Sequence, residues 1–462
     1  MTRRDDIPPV NTINLSLSAI VTKLAVFASG LAALYKLLLI VFDALRSGRA
    51  NFKTNVFAAL TAPTGFRLAF TFARAFIPNL ALRRKIVKAY DSSGTVFVTR
   101  FDDVKDVLAR DDDFEVVYGP RMMRITGGQN FFLGMQDSPD YTRDVSNMRL
   151  AVRRDDLGSI IVPFAARVAG ERVRESAGKM DVPQALTLRV PAQLVGSYFG
   201  TPGPSEQEMI DWTTLMFWYL FIDLEADAAL DIRTMDAALQ CRDYLDDAIR
   251  ARKALPTETD DVLNRCLAMQ RAGLPGMDDL GIRNYLIGLI IGAVPTTSKA
   301  AILALDQLLD RPDALAGAQG AARAGDDKLL AAYIFEALRF NPVNPIIYRR
   351  ATRETVIAPN TLRTVRVPQG SMVMAANFSA MFDKLRLTDP EDFRFDRPWD
   401  HYILWGDGMH KCFGAYINQA LIPAILKPLL LQNGLRRSSG PAGQIDAAKT
   451  PFPVHLWVEF DA

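Results

Sequence analysis

Apolar positions along the chain change period several times, and the changes outline a mainly helical protein with a small β-rich region. The run Leu24–Phe42, LAVFASGLAALYKLLLIVF, is apolar on all sides apart from Lys36. It is close to the length that crosses a hydrocarbon core. A helical, basic-apolar stretch follows at about 64–90. In GTVFVTRFDDVKDVLARDDDF, Val96 and Val98 alternate with polar neighbours as in a strand; Val104, Val107 and Leu108 then recur at helical spacing. The segment from Gly119 to Gly134 reads as an irregular, glycine-bearing loop of the kind that often lines a pocket.

Residues 159–272 read as helices, broken near Gly200–Ser205 and Ala254–Thr257. Within them, Trp212, Phe217, Trp218, Tyr219 and Phe221 cover every side of one helix, as ordinary core or as pocket wall. A long apolar helix is predicted over about 278–309, ending before Arg311-Pro312, and another over about 326–340. Beyond it prolines become frequent and short β-like runs such as TVRVPQGSMVMAAN appear. The pattern carries no repeat of 20 to 50 residues, which argues against a solenoid.

Charge and composition narrow the function. Lysine and arginine total 54 against 52 acidic residues, a net charge of +2, so no basic field draws nucleic acid to the surface. Hydrophobic residues at 49% and charged residues at 23% of the 462 describe a globular chain able to bury a large core. Cys241, Cys266 and Cys412 are odd in number and far apart, which fits a reducing compartment and a cytoplasmic placement. The histidines, His401, His410 and His455, lack zinc spacing. The apolar run at 24–42 leaves open a membrane-associated placement or a helix laid on the protein's own core. Arg3 and Arg4 before it and Arg46, Arg49 and Lys53 after it orient it only weakly. The chain thus divides into an extension, 1–52, and a main domain, 53–462.

The richest segment is FRFDRPWDHYILWGDGMHKCFGAYINQAL. Gly406, Gly408 and Gly414 surround Cys412, and residues without side chains let a tight loop press its backbone against something flat. A helix starting near Phe413 places Cys412 at a positive helix terminus, which favours thiolate over thiol. His410 and Lys411 stand beside it, within reach of a carboxylate at a ligand's rim. A lone cysteine between glycines is ordinarily just a buried thiol.

Its surroundings change that reading. WGDGMHKCFG resembles the haem-binding loop of cytochromes P450, FGxGxHxCxG, with Trp405 where phenylalanine is commonest. FEALRF puts Glu336 and Arg339 three apart on one helix, a spacing that alone suggests a weak surface pair. Followed by FNPVNPIIYRRATRET and PEDFRFDR, it is similar to the family's ExxR helix and meander, with Arg397 as the third member of a Glu-Arg-Arg network. VFVTRFDDVKDVL and QDSPDYTRDVSNMR resemble the strand, B helix and C helix of bacterial-type members, so the likeness covers roughly 55–462. The resemblance implies a P450 fold and haem b bound through Cys412, with Gly406, His410, Phe413 and Gly414 forming its loop. It places Tyr141, where histidine is frequent, and Arg143 and Arg349 at positions that hold haem propionates.

GLIIGAVPTTSKA aligns with the family's oxygen-binding stretch, (A/G)GxD/ETT. Thr296 and Thr297 match the threonines, Thr296 being the one that hydrogen-bonds dioxygen, whereas Pro295 stands where the acid belongs. A proline there removes an N–H and is expected to kink the helix. The family implies a monooxygenase acting on a small apolar substrate with an external ferredoxin or flavoprotein donor, because no reductase segment follows the cysteine loop. The missing acid keeps open a peroxide-dependent peroxygenase or lipid hydroperoxide isomerase, and a haem-thiolate sensor is the non-catalytic alternative. Pro423 and Pro428 predict a broken or kinked helix after Cys412, and Asn418 replaces the usual alanine there.

Overall fold

The computed structural model describes residues 12–46, 52–61 and 63–461. Arg3, Arg4 and Arg49 lie outside these residues, and of Lys53 only the backbone is described. The chain opens with helix α1 (Thr12–Arg46), longer than the apolar run itself, and α2 (Pro63–Phe76). Strands β1 (Asn79–Leu82) and β2 (Thr95–Val98), helix α3 (Phe101–Ala109) and strand β3 (Phe114–Glu115) follow. The stretch expected to be helical at 64–90 is therefore helix, then strand, then irregular chain. The predicted irregular loop also divides: Gly119–Thr126 is a helix, α4, and only the remainder winds irregularly to a short turn at Phe132–Gly134. Pro120 in the first turn and Gly127 in the left-handed conformation at its end account for that helix.

Next come α5 (Pro139–Ala151), α6 (Glu206–Phe217), the long α7 (Asp279–Leu309) and α8 (Asp327–Phe340). Asp278 and Asp326 cap α7 and α8, their carboxylates accepting from Gly281 and Leu329 N–H. Strands β4 (Ile347–Ala351) and β5 (Met372–Ala375) precede α9 (Ala415–Leu430). A five-stranded sheet has the order β1-β2-β5-β4-β3, with β2 and β5 parallel and the other pairs antiparallel. A three-stranded sheet of Lys179–Asp181, Trp457–Glu459 and Arg436–Arg437 lies among the remaining elements.

The main core surrounds α7, where Ile282, Leu286, Ile290, Val294, Ala301 and Leu305 are fully buried. Helix α9 packs against α7 and α8 and runs unbroken through Pro423 and Pro428, contrary to the break expected from those residues. Burial of Leu421, Ile422, Ile425, Leu426 and Leu429 outweighs the loss of single hydrogen bonds at the prolines. Pro295 likewise sits inside continuous α7.

Helix α1 lies along α2. A Cβ on Gly30 would come within 2.4 Å of the Ala75 Cβ, so the helices touch where α1 has no side chain. Ala33 and Ala44 are buried, Phe27 meets the edge of Phe76, and Lys384 Nζ donates to Ser29 Oγ at 2.8 Å. The opposite face shows Leu24, Leu31, Tyr35, Leu38, Phe42 and Leu45, each about half exposed.

Candidate active site

The cysteine loop is shaped by glycines in the left-handed region, Gly406 at φ +75° and Gly408 at φ +71°. A Cβ at Gly408 would also fall 2.1 Å from the Leu108 carbonyl oxygen, so only glycine fits between the loop and α3. Cys412 N–H donates to the Trp405 carbonyl at 2.9 Å and Ala415 N–H to the Cys412 carbonyl at 3.2 Å, which turns the chain into α9. The sulfur faces a cavity of about 1840 Å³ of non-protein space that opens in part to solvent.

Electrostatics at the sulfur differ from the expectation. Burial raises the Cys412 pKa above that of an ordinary thiol, although the Gly414 N–H, the Arg149 cation and the Ala415 N–H all pull it down. The helix terminus alone does not make a thiolate; a bound cation must complete the stabilisation, as a metal does for a coordinating thiol. Burial pushes Cys241 and Cys266 up to about 12 despite neighbouring arginines, so they are inert core residues.

Cys412 shares its cavity with Gly406, His410, Phe413, Gly414, Arg349, Thr296 and Thr297. Apolar residues form most of the remaining wall, including Met122, Phe131, Phe132, Phe217, Phe221 and Leu289. The aromatic segment thus does both jobs: Trp212 and Tyr219 are core, while Phe217 and Phe221 reach the cavity. Its helix passes at Trp218–Ile222 into a wider π-type turn.

Two expected cavity residues are not brought there. The Arg143 guanidinium is held by Asp144 and by Asp140, each at 2.8 Å, and does not line the cavity. Its acidic neighbours satisfy it locally, so the propionate role expected for Arg143 is not supported. Tyr141 Oη donates to the Met409 carbonyl at 2.8 Å. It fastens α5 to the cysteine loop, and its one hydroxyl proton is spent on backbone. Arg149, in the last turn of α5, reaches the cysteine loop without any signal in the sequence. Its guanidinium lies 3.8 Å from the Phe413 ring centroid and donates to the Phe413 carbonyl at 3.1 Å.

The polar groups left over test the fit of a haem. Arg349 Nε and His410 Nε2 are buried, with no hydrogen-bond partner among the described residues. Burial, reinforced by the nearby Arg349 cation, pushes His410 down to about 3, so its imidazole is neutral and keeps one N–H to donate. A buried guanidinium N–H and an imidazole with no acceptor are costly unless an anionic group meets them. They lie on one cavity with a sulfur and wide apolar walls. The carboxylates, flat apolar face and iron of haem match these donors, surfaces and sulfur.

Behind the loop, Glu336 and Arg339 are fully buried rather than a surface pair. Arg339 forks onto both Glu336 oxygens at 2.8 and 2.9 Å, Arg397 Nε donates to Oε1 at 3.1 Å, and Tyr402 Oη donates to Oε2 at 3.0 Å. The guanidinium groups also bind the carbonyls of Met381, Thr388, Asp389 and Asp392. Every charge is paired, which is the condition for a buried ionic network to hold its parts in place. Tyr402 is the member that sequence spacing does not show.

On α7, Thr296 Oγ1 donates to the Gly292 carbonyl one turn back. The Thr297 hydroxyl, buried, donates to Asn418 Oδ1 on α9 at 3.0 Å. The two threonines therefore differ in kind: Thr296 is partly exposed at the cavity, and Thr297 ties the helices that flank it. Asn418, unusual at its position, has a partner suited to it.

A thiol-bearing loop beneath an apolar chamber, braced by a buried Glu-Arg-Arg network, defines a haem-thiolate architecture. The family description of cytochrome P450 matches residues 91–432, and the chain belongs to that family. It is 29% identical to cyclomarin C epoxidase of Salinispora arenicola over 55% of this chain and 61% of that protein. It is 25% identical to mycinamicin IV hydroxylase/epoxidase of Micromonospora griseorubida over 72% of this chain and 80% of that protein. A 95-residue stretch is 34% identical to linoleate diol synthase of Gaeumannomyces graminis and spans 8% of its length. The chain thus covers less than two thirds of several curated relatives it matches. In fold it resembles P450BioI bound to an acyl carrier protein carrying hexadec-9Z-enoic acid, with a TM-score of 0.73 at 18% identity over 87% of this chain and 99% of that one. CYP109E1 of Bacillus megaterium with testosterone gives 0.70 at 19% identity over 85% and 97%.

Proposed function

We propose that this enzyme inserts one oxygen atom from dioxygen into an apolar organic substrate, with haem b held through Cys412 and electrons from an external ferredoxin or flavoprotein. The observation that carries the reading is one chamber lined by the Cys412 sulfur, by Arg349 and His410 with their unpartnered Nε and Nε2 atoms, and by an apolar wall. Haem supplies the activation of oxygen, assisted by electron density from the cysteine sulfur. The protein's own residues do the rest. Arg349 and His410 orient the group's carboxylates, the Phe217 and Phe221 walls exclude water and seat an apolar molecule, and Thr296 presents a hydroxyl at the reacting face. Pro295 offers no proton, so proton supply runs through water ordered at Thr296. Relatives named as an epoxidase and a hydroxylase/epoxidase support oxygen insertion.

Pro295 also favours a second reading, turnover of peroxide or a lipid hydroperoxide, which arrives with its oxygen already reduced. The partial likeness to linoleate diol synthase points the same way. The two separate in one assay with a common apolar substrate. Product is expected with a reduced ferredoxin system and oxygen; product with hydrogen peroxide or a lipid hydroperoxide alone, and none with the reductant, would replace the first reading by the second. Pro295→Asp is expected to raise the reductant-driven rate about tenfold, a fraction of the roughly 10²- to 10⁴-fold that a positioned acid can contribute, and to leave any peroxide-driven rate unimproved.

We further propose that the outward face of α1 lies in a bilayer surface. Within Ile20–Arg46 an 18-residue window has a mean hydropathy of 2.2 with only 11% of it buried, and Lys23, Lys36 and Arg46 suit headgroups. Full-length protein is expected to float with phospholipid vesicles, and protein lacking residues 1–51 to remain behind. Equal flotation of the two would remove α1 from the account.

A further inference from the structure

Helix α9, from its capping residue Gly414, turns one face to the chamber, and that face carries Gly414, Ile417, Asn418, Leu421 and Ile422. Asn418 alone among them has a polar side chain. The start of this face lies against the sulfur, since a Cβ built on Gly414 would stand 3.9 Å from Cys412 Sγ. Asn418 N–H donates to the Gly414 carbonyl at 2.9 Å, which sets Asn418 one turn, roughly 6 Å, farther along the same face. A porphyrin centred over the sulfur is wide enough to cover it.

The amide is not free to turn. Thr297, 1% exposed on the neighbouring α7, donates its hydroxyl to Asn418 Oδ1 at 3.0 Å. That bond uses the acceptor end of the amide and leaves the donor end, Nδ2, directed away from Thr297. Among the described residues Nδ2 makes no hydrogen bond, although an amide nitrogen carries two N–H donors. The side chain is neither sealed in the core nor out on the protein surface; what is open of it belongs to the chamber wall. An oriented N–H group is therefore presented to the chamber on the same helical face as the sulfur.

We propose that Asn418 Nδ2 donates toward the haem from the side of the sulfur and raises the reduction potential of the iron, with Thr297 as the positioning residue that aims the amide. This rests on the reading of the chamber as the haem site. Taking up an electron makes the haem more negative, and the positive end of an N–H dipole against it stabilises that state. The effect is strong where the surrounding wall is hydrocarbon and screening is weak. The cysteine sulfur pushes electron density onto the iron and acts in the opposite sense. Asn418 thus offsets part of the sulfur's effect and makes the first electron from an external donor easier to accept, which alanine or leucine at this position could not do.

The test is a spectroelectrochemical titration of haem-loaded full-length protein. Asn418→Leu, close in volume but without an N–H, is expected to shift the one-electron reduction equilibrium about tenfold toward the oxidised form, a fall of about 59 mV. Thr297→Val keeps the amide but frees its orientation, and should lower the potential in the same direction by less. A potential in Asn418→Leu equal to or above that of the unsubstituted protein would overturn the proposal. A fall in Asn418→Leu beside an unchanged Thr297→Val would overturn the aiming by Thr297. Should Asn418→Leu fail to retain haem, Thr297→Val decides alone, and an unchanged potential there overturns the proposal. Unsubstituted protein that takes up no haem would overturn the cofactor reading and the role of Asn418 together.

Discussion

Glu336→Ala is expected to lower stability by about 3–5 kcal/mol, the cost of leaving buried charge without its partner. The carboxylate removed takes hydrogen bonds from Arg339, Arg397, Tyr402 and the Arg394 N–H. Arg339, fully buried, keeps only carbonyl partners once the carboxylate is gone. Because these bonds join α8 to the chain leading into the cysteine loop, haem retention should fail together with folding. Thermal unfolding and the haem-to-protein ratio measure both. Arg394→Ala is the control: its side chain pairs with Asp396 and Asp389 at the surface, and its loss should leave the unfolding temperature and the haem content essentially unchanged. A Glu336→Ala protein as stable and as haem-rich as that control would show the network to be dispensable.

Cys412→Ser is expected to abolish reductant-driven oxygenation while leaving the fold nearly unchanged, within about 1 kcal/mol in the unfolding of the haem-free proteins. The loop is held by backbone bonds, Cys412 N–H to Trp405 and Ala415 N–H to Cys412, and by glycines whose conformation does not depend on the sulfur. Serine accepts the same geometry but gives iron a hard, weakly donating oxygen in place of sulfur. Product formation with a ferredoxin system measures the loss, and circular dichroism of the two proteins measures the retained fold. Undiminished turnover by the serine variant would remove Cys412 from the chemistry.

What the sequence discloses is mostly local. The ExxR spacing, the glycines about Cys412 and the capped apolar span of α7 are patterns within a turn or two of helix, and each reappears as geometry. What it hides depends on distant partners. Tyr402 reaches Glu336 across 66 residues of chain and Thr297 reaches Asn418 across 121, and no period connects them. The stacking of Arg149 on Phe413 is of the same kind. Arg143 fails for the opposite reason, since the acids that claim it, Asp140 and Asp144, stand beside it in the sequence and a likeness of position outweighed them. Pro423 and Pro428 mislead because a local rule about helix breaking is overridden by burial between α7 and α8.

The bond from the Cys412 sulfur to haem iron is the claim on which the functional reading stands, and the absorption of the reduced protein under carbon monoxide tests it most directly. The account predicts the band characteristic of cysteinate ligation in the unsubstituted protein and its loss in Cys412→Ser. The same band in both proteins, or a haem-loaded protein that shows only the band of histidine-ligated haem, would contradict it.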